Sequence, residues 1–379
     1  MIKIHDPFCG AVLNHRLGRK VKGGLEIPVW GTAPVGEPVK VNGATARRLG
    51  ERFTAEVVLR DSETDIVAVS RGVTGRTEHQ IRVVWDRHSI PRYRFSIDDN
   101  IFFLRDIAAK KYKSLFGNFY LDGLRKLHRK YGAKFVLNLF YVTQENDFNL
   151  SQFPAGYKGE WADCASWLKL AFHAYTEYPD RPYQNCPPEK LAKDFDLVAG
   201  EILRFAGPAA YSPPTVIHWG MVHPTSWPVL TRRGVKVLTC LIAPNSGSSY
   251  TTEGETFNVD ESGTPFGYDV NYGLDNVRSE YISRHDALKD FASGIVFSRS
   301  DLTANNVPLK QVEAALEPLT RDPQNAEIMD LFTHEQYFWP SYAHYRPDHF
   351  QRLDAALRFC TQHGYKPVFF HEGFLGVKE

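Results

Sequence analysis

The second part of the chain alternates apolar runs of strand length with amphipathic helical repeats, and this alternation restricts the fold more than any other feature of the sequence. In the repeat YLDGLRKLHRKYG the apolar residues recur at helical spacing, at Tyr120, Leu124, Leu127 and Tyr131. The apolar run AKFVLNLFYV follows directly, and the same kind of alternation returns with WLKLAFHAY and PPEKLAKDFDLVAGEILRFAG. Strands that alternate with helices are typical of a parallel sheet or a (β/α) barrel, so we expect an α/β region over residues 94–379.

The first part of the chain has a different rhythm, in which short apolar runs are separated by Gly, Asn, Asp and Pro. Examples are LEIPVWGTAP, FTAEVVL, DIVAVSRG and HQIRVVW. Such runs predict a small all-β sandwich over residues 1–93. The passage VNGATARRLGERFTAEVVLRDSETDIVAV resembles the Ig-like accessory domains of many carbohydrate-active enzymes. For this domain a packing or spacer role is favoured over sugar binding.

Composition and charge exclude several classes of protein. The chain has 379 residues and a formal net charge of +1, which argues against a large basic surface for nucleic acid. No window has the roughly 18 uncharged apolar residues of a membrane span, and the start MIKIHDPFCGAVLNHRLG has no apolar signal-peptide core. The 5 cysteines show no CxxC spacing and are expected to be free thiols. We therefore expect a cytoplasmic protein without nucleic-acid or membrane partners.

Titratable side chains stand at the ends of several predicted strands. Asp98 and Asp99 close RYRFSI, His173 closes WLKLAF, His218 closes PPTVI, and His334 follows IMDLF. In parallel α/β folds such positions gather at one edge of the sheet. Histidine nitrogens and carboxylate oxygens bind divalent metal ions, and one of two adjacent aspartates could accept a proton while the other binds the ion. An Asp pair alone also fits an acidic turn or a helix cap, and a single His also fits a protein core.

The order of these segments resembles that of the NodB-type polysaccharide deacetylases. FSIDDN matches the strand that ends in the family's Asp-Asp pair, and LAFHAYTEYP matches in part its His-x-x-x-His motif. PPTVIHWGMVHPTSWPVLTRRGVKVL is similar to the third motif, and MDLFTHEQYF to the last strand, which carries a His. The likeness covers most of residues 95–375. It implies a distorted (β/α)7 barrel after the β-sandwich, with a divalent metal ion, expected to be zinc, at its mouth.

The resemblance also implies a role for each matching residue. Asp98 would be the general base, and His334 would be the general acid that protonates the leaving group. The metal ligands would be Asp99, His173 and Glu177, or His218 in place of Glu177.

Three positions depart from the family's motifs. Glu177 stands where the family has its second metal-binding His, and Asn100 stands where a Gly usually follows the Asp pair. The third motif lacks its Arg and carries His218 and His223 instead. These departures concern both the choice of metal and the orientation of the catalytic aspartate.

Two aromatic segments are candidates for substrate binding. HWGMVHP offers His218, Trp219 and His223, and FTHEQYFWPSYAHY offers Glu335, Tyr337 and Trp339. Aromatic faces can pack against sugar rings, although burial among other apolar residues is the commoner explanation for such side chains.

The leading hypothesis is a metal-dependent hydrolase that removes N- or O-acetyl groups from an oligo- or polysaccharide by means of a metal-activated water. Two alternatives stay open. One is a glycoside hydrolase or lyase on the same barrel that uses a carboxylate pair, Asp99 with Glu177 or with Glu335. The other is a catalytically degenerate barrel that binds a glycan through its aromatic residues.

Overall fold

The computed structural model describes residues 1–72, 75–179, 181–240, 249–252, 255–258, 271–372 and 375. In the first part of the chain, the described regular elements are all β-strands. They are β1 (Lys3–Asp6), β2 (Val12–Leu13), β3 (Arg19–Val21), β4 (Gly24–Thr32), β5 (Val39–Val41), β6 (Ala44–Thr45), β7 (Arg47–Leu49), β8 (Arg52–Leu59), β9 (Glu63–Gly72) and β10 (Gly75–Trp85).

These strands form two sheets around one hydrophobic core. One sheet has the order β1-β4-β8-β7, with β3 also paired to β4, and the other has the order β2-β10-β9-β5-β6. Side chains of a strand point alternately to its two faces, so every second residue of β4, such as Leu25, Ile27 and Val29, is buried between the sheets. Ile66 and Val83 of the second sheet belong to the same core.

The second part of the chain alternates strands and helices. Its elements are β11 (Arg92–Asn100), α1 (Phe102–Lys110), α2 (Phe119–Tyr131), β12 (Phe135–Phe140), α3 (Lys158–Cys164), β13 (Leu168–Ala174), α4 (Pro188–Phe205), α5 (Trp227–Thr231), β14 (Val237–Cys240), β15 (Ser249–Thr252), β16 (Glu255–Asn258), α6 (Asn276–Ile282), β17 (Ala287–Lys289), β18 (Val296–Arg299), β19 (Leu302–Thr303), α7 (Val312–Leu316), β20 (Ile328–His334), α8 (His349–Gln362) and β21 (Lys366–Pro367).

The main sheet of this region is parallel and has the order β13-β12-β11-β20-β19, with β21 paired to the start of β11. Every residue of β11 and of β12 is buried, which is the pattern of a parallel strand covered on both faces. Because all of these strands run the same way, their carboxyl ends lie along one edge. Asp98, His173 and His334 come at or next to those ends.

The predicted distorted (β/α)7 barrel is wrong for this chain, because the described strands do not close into one ring. β14 pairs with β18 and β18 with β17 in a separate sheet of mixed direction. The segment PPTVI, expected to be a strand, forms none. Pro213 and Pro214 have no N–H groups to donate to a neighbouring strand, which explains part of this interruption. The observed architecture is an open parallel sheet beside smaller sheets.

Helix α2 illustrates how local sequence sets the ends of an element. Asn118 precedes the helix, and its side-chain oxygen accepts hydrogen bonds from the N–H groups of Tyr120 (3.1 Å) and Leu121 (3.2 Å). Gly132 ends the helix with a φ of 67°, a conformation that glycine adopts without steric penalty. The predicted helical repeat and its end at Gly132 are therefore confirmed.

The two parts of the chain are held together by specific contacts. The carboxylate of Glu327 is buried and accepts hydrogen bonds from Arg16 Nε and Ser89 Oγ, both at 2.5 Å. Ala11 forms a β-bridge with Leu288. The division at residues 93 and 94 stays a prediction.

All five cysteines are free thiols, as the sequence predicts. Within the described part of the chain, none of the helices combines the length and the apolar character that crossing a membrane would require.

Candidate metal centre

The end of β11 has an unusual backbone that separates the two aspartates. The pairing of β11 with β12 shifts register between Ile97 and Asn100, and Asp99 has a φ of 59°. Asp is one of the few residues that enter this left-handed region with some frequency. The side-chain amide of Asn100 stabilises the irregularity by donating to the carbonyl oxygens of Ile97 (2.5 Å) and Asn138 (3.2 Å).

Three buried atoms that could bind a metal ion lie close together, one each from Asp99, His173 and His218. The Oδ1 atom of Asp99 lies 3.0 Å from Nε2 of His173 and 3.4 Å from Nδ1 of His218. The two histidine nitrogens lie 3.1 Å apart. All three residues are buried, and their ligand atoms are close enough together to surround one ion.

In each of the two histidines, the ring nitrogen that points away from Asp99 determines whether the other, inner nitrogen carries a proton. Nδ1 of His173 lies 3.2 Å from the carbonyl oxygen of Val216, and Nε2 of His218 lies 3.1 Å from that of Glu177. A carbonyl oxygen only accepts, so each of these ring nitrogens must carry the proton. In the neutral imidazoles the inner nitrogens then present lone pairs toward Asp99 Oδ1. Three acceptors at this separation need a cation or a proton between them, so Asp99, His173 and His218 form a group that could bind a metal ion.

The pKa values in the group reflect this crowding. Burial alone would raise the pKa of Asp99, but the charge of His334 and the hydrogen bonds with His173 and His218 hold it well below its usual range. Burial opposes the charged form of His173, yet Asp99 raises the pKa of His173 above its usual value. Burial lowers the pKa of His218. His173 therefore keeps a second proton to a higher pH than an ordinary histidine does, and its charged ring can pair with Asp99 when no ion is bound.

Asp98 and His334 flank this group without belonging to it. Asp98 Oδ1 accepts hydrogen bonds from the Asn138 amide (2.6 Å) and from Ser96 Oγ (3.3 Å), and its charge contributes to the raised pKa of His173. Nε2 of His334 lies 3.9 Å from Oδ2 of Asp99, and its Nδ1 lies 3.0 Å from Oδ1 of Asn305. The side chain of His334 is 27% exposed. Their predicted roles as base and acid stay predictions.

Glu177 was one of two candidates for the third ligand, and His218 was the other. The structure brings His218 into the group, whereas Glu177 contributes its backbone carbonyl to His218. The carboxylate of Glu177 accepts a hydrogen bond of 3.3 Å from the amide of Gln336. That amide also donates to Oδ2 of Asp99 at 2.9 Å. Sequence reasoning missed Gln336, although it stands two residues after His334 at the end of β20.

The carboxylate of Glu335 has a structural role, because its oxygens already accept hydrogen bonds from the protein. Its carboxylate accepts hydrogen bonds from the backbone N–H groups of Ile101, Phe102 and Phe103 at the start of α1, and from Nε1 of Trp339. Burial raises the pKa of Glu335 to about 7, and these donors oppose that rise by favouring the carboxylate. Its oxygens are therefore engaged in holding α1 against the turn that follows β20.

The remaining candidates for substrate binding differ in what they contact. Trp219 is next to His218, with ring centroids 6.1 Å apart, and has a φ of 65°. Tyr337 lies 6.1 Å from His334 between ring centroids, and Trp339 packs edge-on against Phe102. His223 uses its ring to cap the turn Pro224–Ser226 and is not part of the metal-binding group.

A cleft of about 300 Å³ opens over Asp99. Its walls combine aromatic and polar side chains, which include Phe102, Phe140, Gln144, Glu177, Tyr178, Gln336 and Tyr342. Small-molecule sites commonly have this composition, with apolar walls and a few polar groups that fix orientation. The cleft gives a ligand access to the carboxylate of Asp99.

Comparisons with known proteins give little guidance. No family model matches this chain, and no curated protein matches it. Among solved structures, the fibronectin(III)-like modules of Clostridium thermocellum CbhA match with 16% identity over 27% of this chain, at a TM-score of 0.19. An engineered protein matches with 18% identity over 22% of this chain and 20% of its own length, at a TM-score of 0.15. The chain spans 57% of the length of the first of these structures, and TM-scores this low do not establish a shared fold.

Proposed function

We propose that the protein is a metal-dependent hydrolase that removes an acetyl group from a carbohydrate, with a divalent ion, expected to be zinc, bound by Asp99, His173 and His218. The observation that carries the proposal is the convergence of three buried acceptors, 3.0 to 3.4 Å apart, beneath an open cleft. The resemblance of the strand-end motifs to those of NodB-type deacetylases supports the same reaction. Zinc suits two imidazole nitrogens and one carboxylate oxygen, and catalytic zinc sites commonly have three protein ligands and one open position.

When bound, the ion would supply Lewis acidity toward the acetyl carbonyl and would make a nearby water more acidic. Asp98 would accept the proton of the attacking water, since its Oδ1 is already oriented by the Asn138 amide. His334 would give a proton from Nε2 to the departing oxygen or nitrogen while it is doubly protonated, with Nδ1 donating to Oδ1 of Asn305 and Nε2 lying 3.9 Å from Oδ2 of Asp99.

A second candidate is a glycosidase or lyase that uses Asp99 and Glu177 without an ion. One observation favours keeping it: both carboxylates line the cleft, and both accept a hydrogen bond from the same amide of Gln336. The pair of Asp99 with Glu335 has no such support, because the oxygens of Glu335 hold the start of α1.

Metal content and turnover together test the proposal. The protein should be purified without chelator, its zinc measured by mass spectrometry, and acetate release followed on partially acetylated chitosan and acetylated xylan. Asp99→Asn should lose both zinc and turnover, because it removes the negative charge that two histidines face. Asn also tolerates the positive φ at this position, so the variant should fold.

Asp98→Asn is the matched variant for the neighbouring aspartate. It should retain zinc and lose turnover by about 10²- to 10⁴-fold, the usual contribution of a general base. Equal loss of zinc in both variants would show that the two roles are assigned wrongly. Full turnover in a zinc-free protein would rule out the metal mechanism and favour the carboxylate pair.

A further inference from the structure

Gln336 touches the metal-binding group from the cleft side. It lies in the 3₁₀ turn Glu335–Phe338, directly after β20, and its side chain is almost fully buried. Nε2 of Gln336 donates to Oδ2 of Asp99 at 2.9 Å and to Oε2 of Glu177 at 3.3 Å. A rotation of the amide by half a turn would direct Oε1 toward two carboxylates, so the amide has one favourable orientation.

This contact divides the two oxygens of Asp99 between two tasks. Oδ2 faces the amide of Gln336, while Oδ1 faces His173 and His218. A carboxylate without a donor on Oδ2 could rotate and exchange its oxygens. The amide therefore fixes the orientation in which one oxygen of Asp99 completes the group of three.

Glu177 extends the same arrangement to a second ligand. Its carbonyl oxygen accepts from Nε2 of His218, and its carboxylate accepts from Gln336. Because Gln336 bonds to both carboxylates, it links the residue that orients His218 to the ligand Asp99. Glu177 itself is outside the group of three that could hold an ion.

The backbone around Gln336 is held on both sides. Its neighbour Glu335 is bonded to three N–H groups at the start of α1, and the carbonyl oxygen of Gln336 accepts from the N–H of Trp339 at 3.0 Å. The position of the amide is therefore set by the turn as well as by its two acceptors. Oε1 of Gln336 is buried and has no hydrogen-bond partner among the described residues, whereas Nε2 donates to both carboxylates.

We infer that Gln336 is a positioning residue of the metal centre, which holds Asp99 in its ion-binding orientation and keeps Glu177 beside the group without joining it. The inference rests on the proposed metal site. Groups that orient a metal ligand commonly change ion affinity about 10- to 100-fold when they are removed.

The test measures ion affinity, apart from any enzymatic activity. Ion-free protein would be titrated with zinc in competition with a chromophoric chelator. Gln336→Met has nearly the same length but no donor, and it should bind zinc about 10-fold more weakly than the parent protein. Gln144→Met is the matched control, since Gln144 is an exposed glutamine of the same cleft, and it should bind zinc as the parent does.

Two further measurements separate positioning from a general loss of structure. Gln336→Asn keeps the amide but withdraws it by one methylene, and it should also weaken zinc binding. Cobalt bound in place of zinc should show a changed visible absorption spectrum in both Gln336 variants and an unchanged spectrum in Gln144→Met.

The outcomes distinguish this inference from the proposed function. If the parent protein binds no zinc or cobalt, the metal site itself is wrong, and this inference is overturned with it. If the parent binds zinc, and the Gln336 variants bind it within 2-fold with the parent's cobalt spectrum, only the inference about Gln336 is overturned.

Discussion

The paired strands β11 and β20 carry buried charged groups at both ends, and these groups are compensated by partners at one end but not at the other. Near their start, Arg94 is paired in register with Asp330, and the guanidinium donates to the carboxylate. Asp330 also accepts from Thr239 Oγ1 at 2.8 Å. At their carboxyl ends, Asp98 is in register with His334, and acceptors gather around Asp99.

The balance of donors and acceptors is what differs between the two ends. Arg94 and Asp330 have fully buried side chains, and each charge has its partner. Such a pair is tolerated because breaking it would leave a buried charge without compensation. Around Asp99 the acceptors exceed the donors until a proton or an ion enters. The first end therefore belongs to the fold, and the second can bind a ligand.

The largest expected effect comes from breaking the buried ion pair between Arg94 and Asp330. Arg94→Met leaves Asp330 buried without its cation and should lower the free energy of unfolding by about 3 to 5 kcal/mol. Urea unfolding followed by tryptophan fluorescence would measure the loss. The double variant Arg94→Met/Asp330→Leu should recover part of it, because it removes both charges.

Arg82→Met is the matched control for this prediction. Arg82 pairs with Asp65 on an exposed surface of β9 and β10, where water solvates both charges. Its loss should change the unfolding free energy far less than the loss of Arg94. Equal effects of Arg82→Met and Arg94→Met would contradict the contrast between buried and exposed pairs.

At the carboxyl ends of β11 and β20, the group around Asp99 should instead make the stability of the protein depend on zinc. A ligand that binds only the folded state stabilises it by about 2.7 kcal/mol at 100 times its dissociation constant. His218→Ala removes one of the three acceptors and should abolish this zinc-induced stabilisation in thermal unfolding. His223→Ala removes a histidine five residues away that caps a turn, and it should keep the response. A response that survives His218→Ala would exclude His218 as a ligand.

The smallest expected effect is a pH dependence of the ion-free protein. Asp99 raises the pKa of His173, so the folded state holds a proton that the unfolded state has released. The contribution of His173 to stability is present below a pH of about 6.5, the ordinary histidine value, and is lost as the pH rises through its folded pKa, whereas the lowered pKa of His218 acts in the opposite direction below pH 6.5. One such proton gives a slope of at most about 1.4 kcal/mol per pH unit.

Asp99→Asn should remove most of this slope, because it removes the main group that raises the pKa of His173. Urea titrations at several pH values, with chelator present, would measure it. The lowered pKa of Asp99 affects stability in a different pH range, since its stabilising effect is lost only as the pH falls below about 4. An unchanged slope in Asp99→Asn would show that other groups cause the dependence.

Local features of this fold could be predicted from the sequence, and long-range closure could not. The end of α2 at Gly132 depends on residues within one helical turn, so the repeat and its glycine were sufficient. The barrel prediction was wrong because closure depends on whether distant segments pair. Pro213 and Pro214 lie in a segment that forms no strand, and β14 pairs in a different sheet.

The candidate site shows the same division. Asp99 and His173 lie at the carboxyl ends of buried strands of one parallel sheet, and the sequence could bring them together on that basis. His218 was expected at a strand end but lies in a 3₁₀ turn, where the distant carbonyl of Glu177 orients its ring. Gln336 and Asp99 are 237 positions apart in the sequence, and no local sequence pattern predicts their hydrogen bond.

The carboxylate of Glu327 has a consequence for engineering and for evolution. Its side chain belongs to the second part of the chain, whereas Arg16 and Ser89, which donate to it, belong to the first. A gene fragment that encoded the second part alone would leave a buried anion without these donors. The two parts are therefore poorly suited to being exchanged as separate modules, and a chimera that replaces the first part would need to restore an arginine and a hydroxyl at this junction.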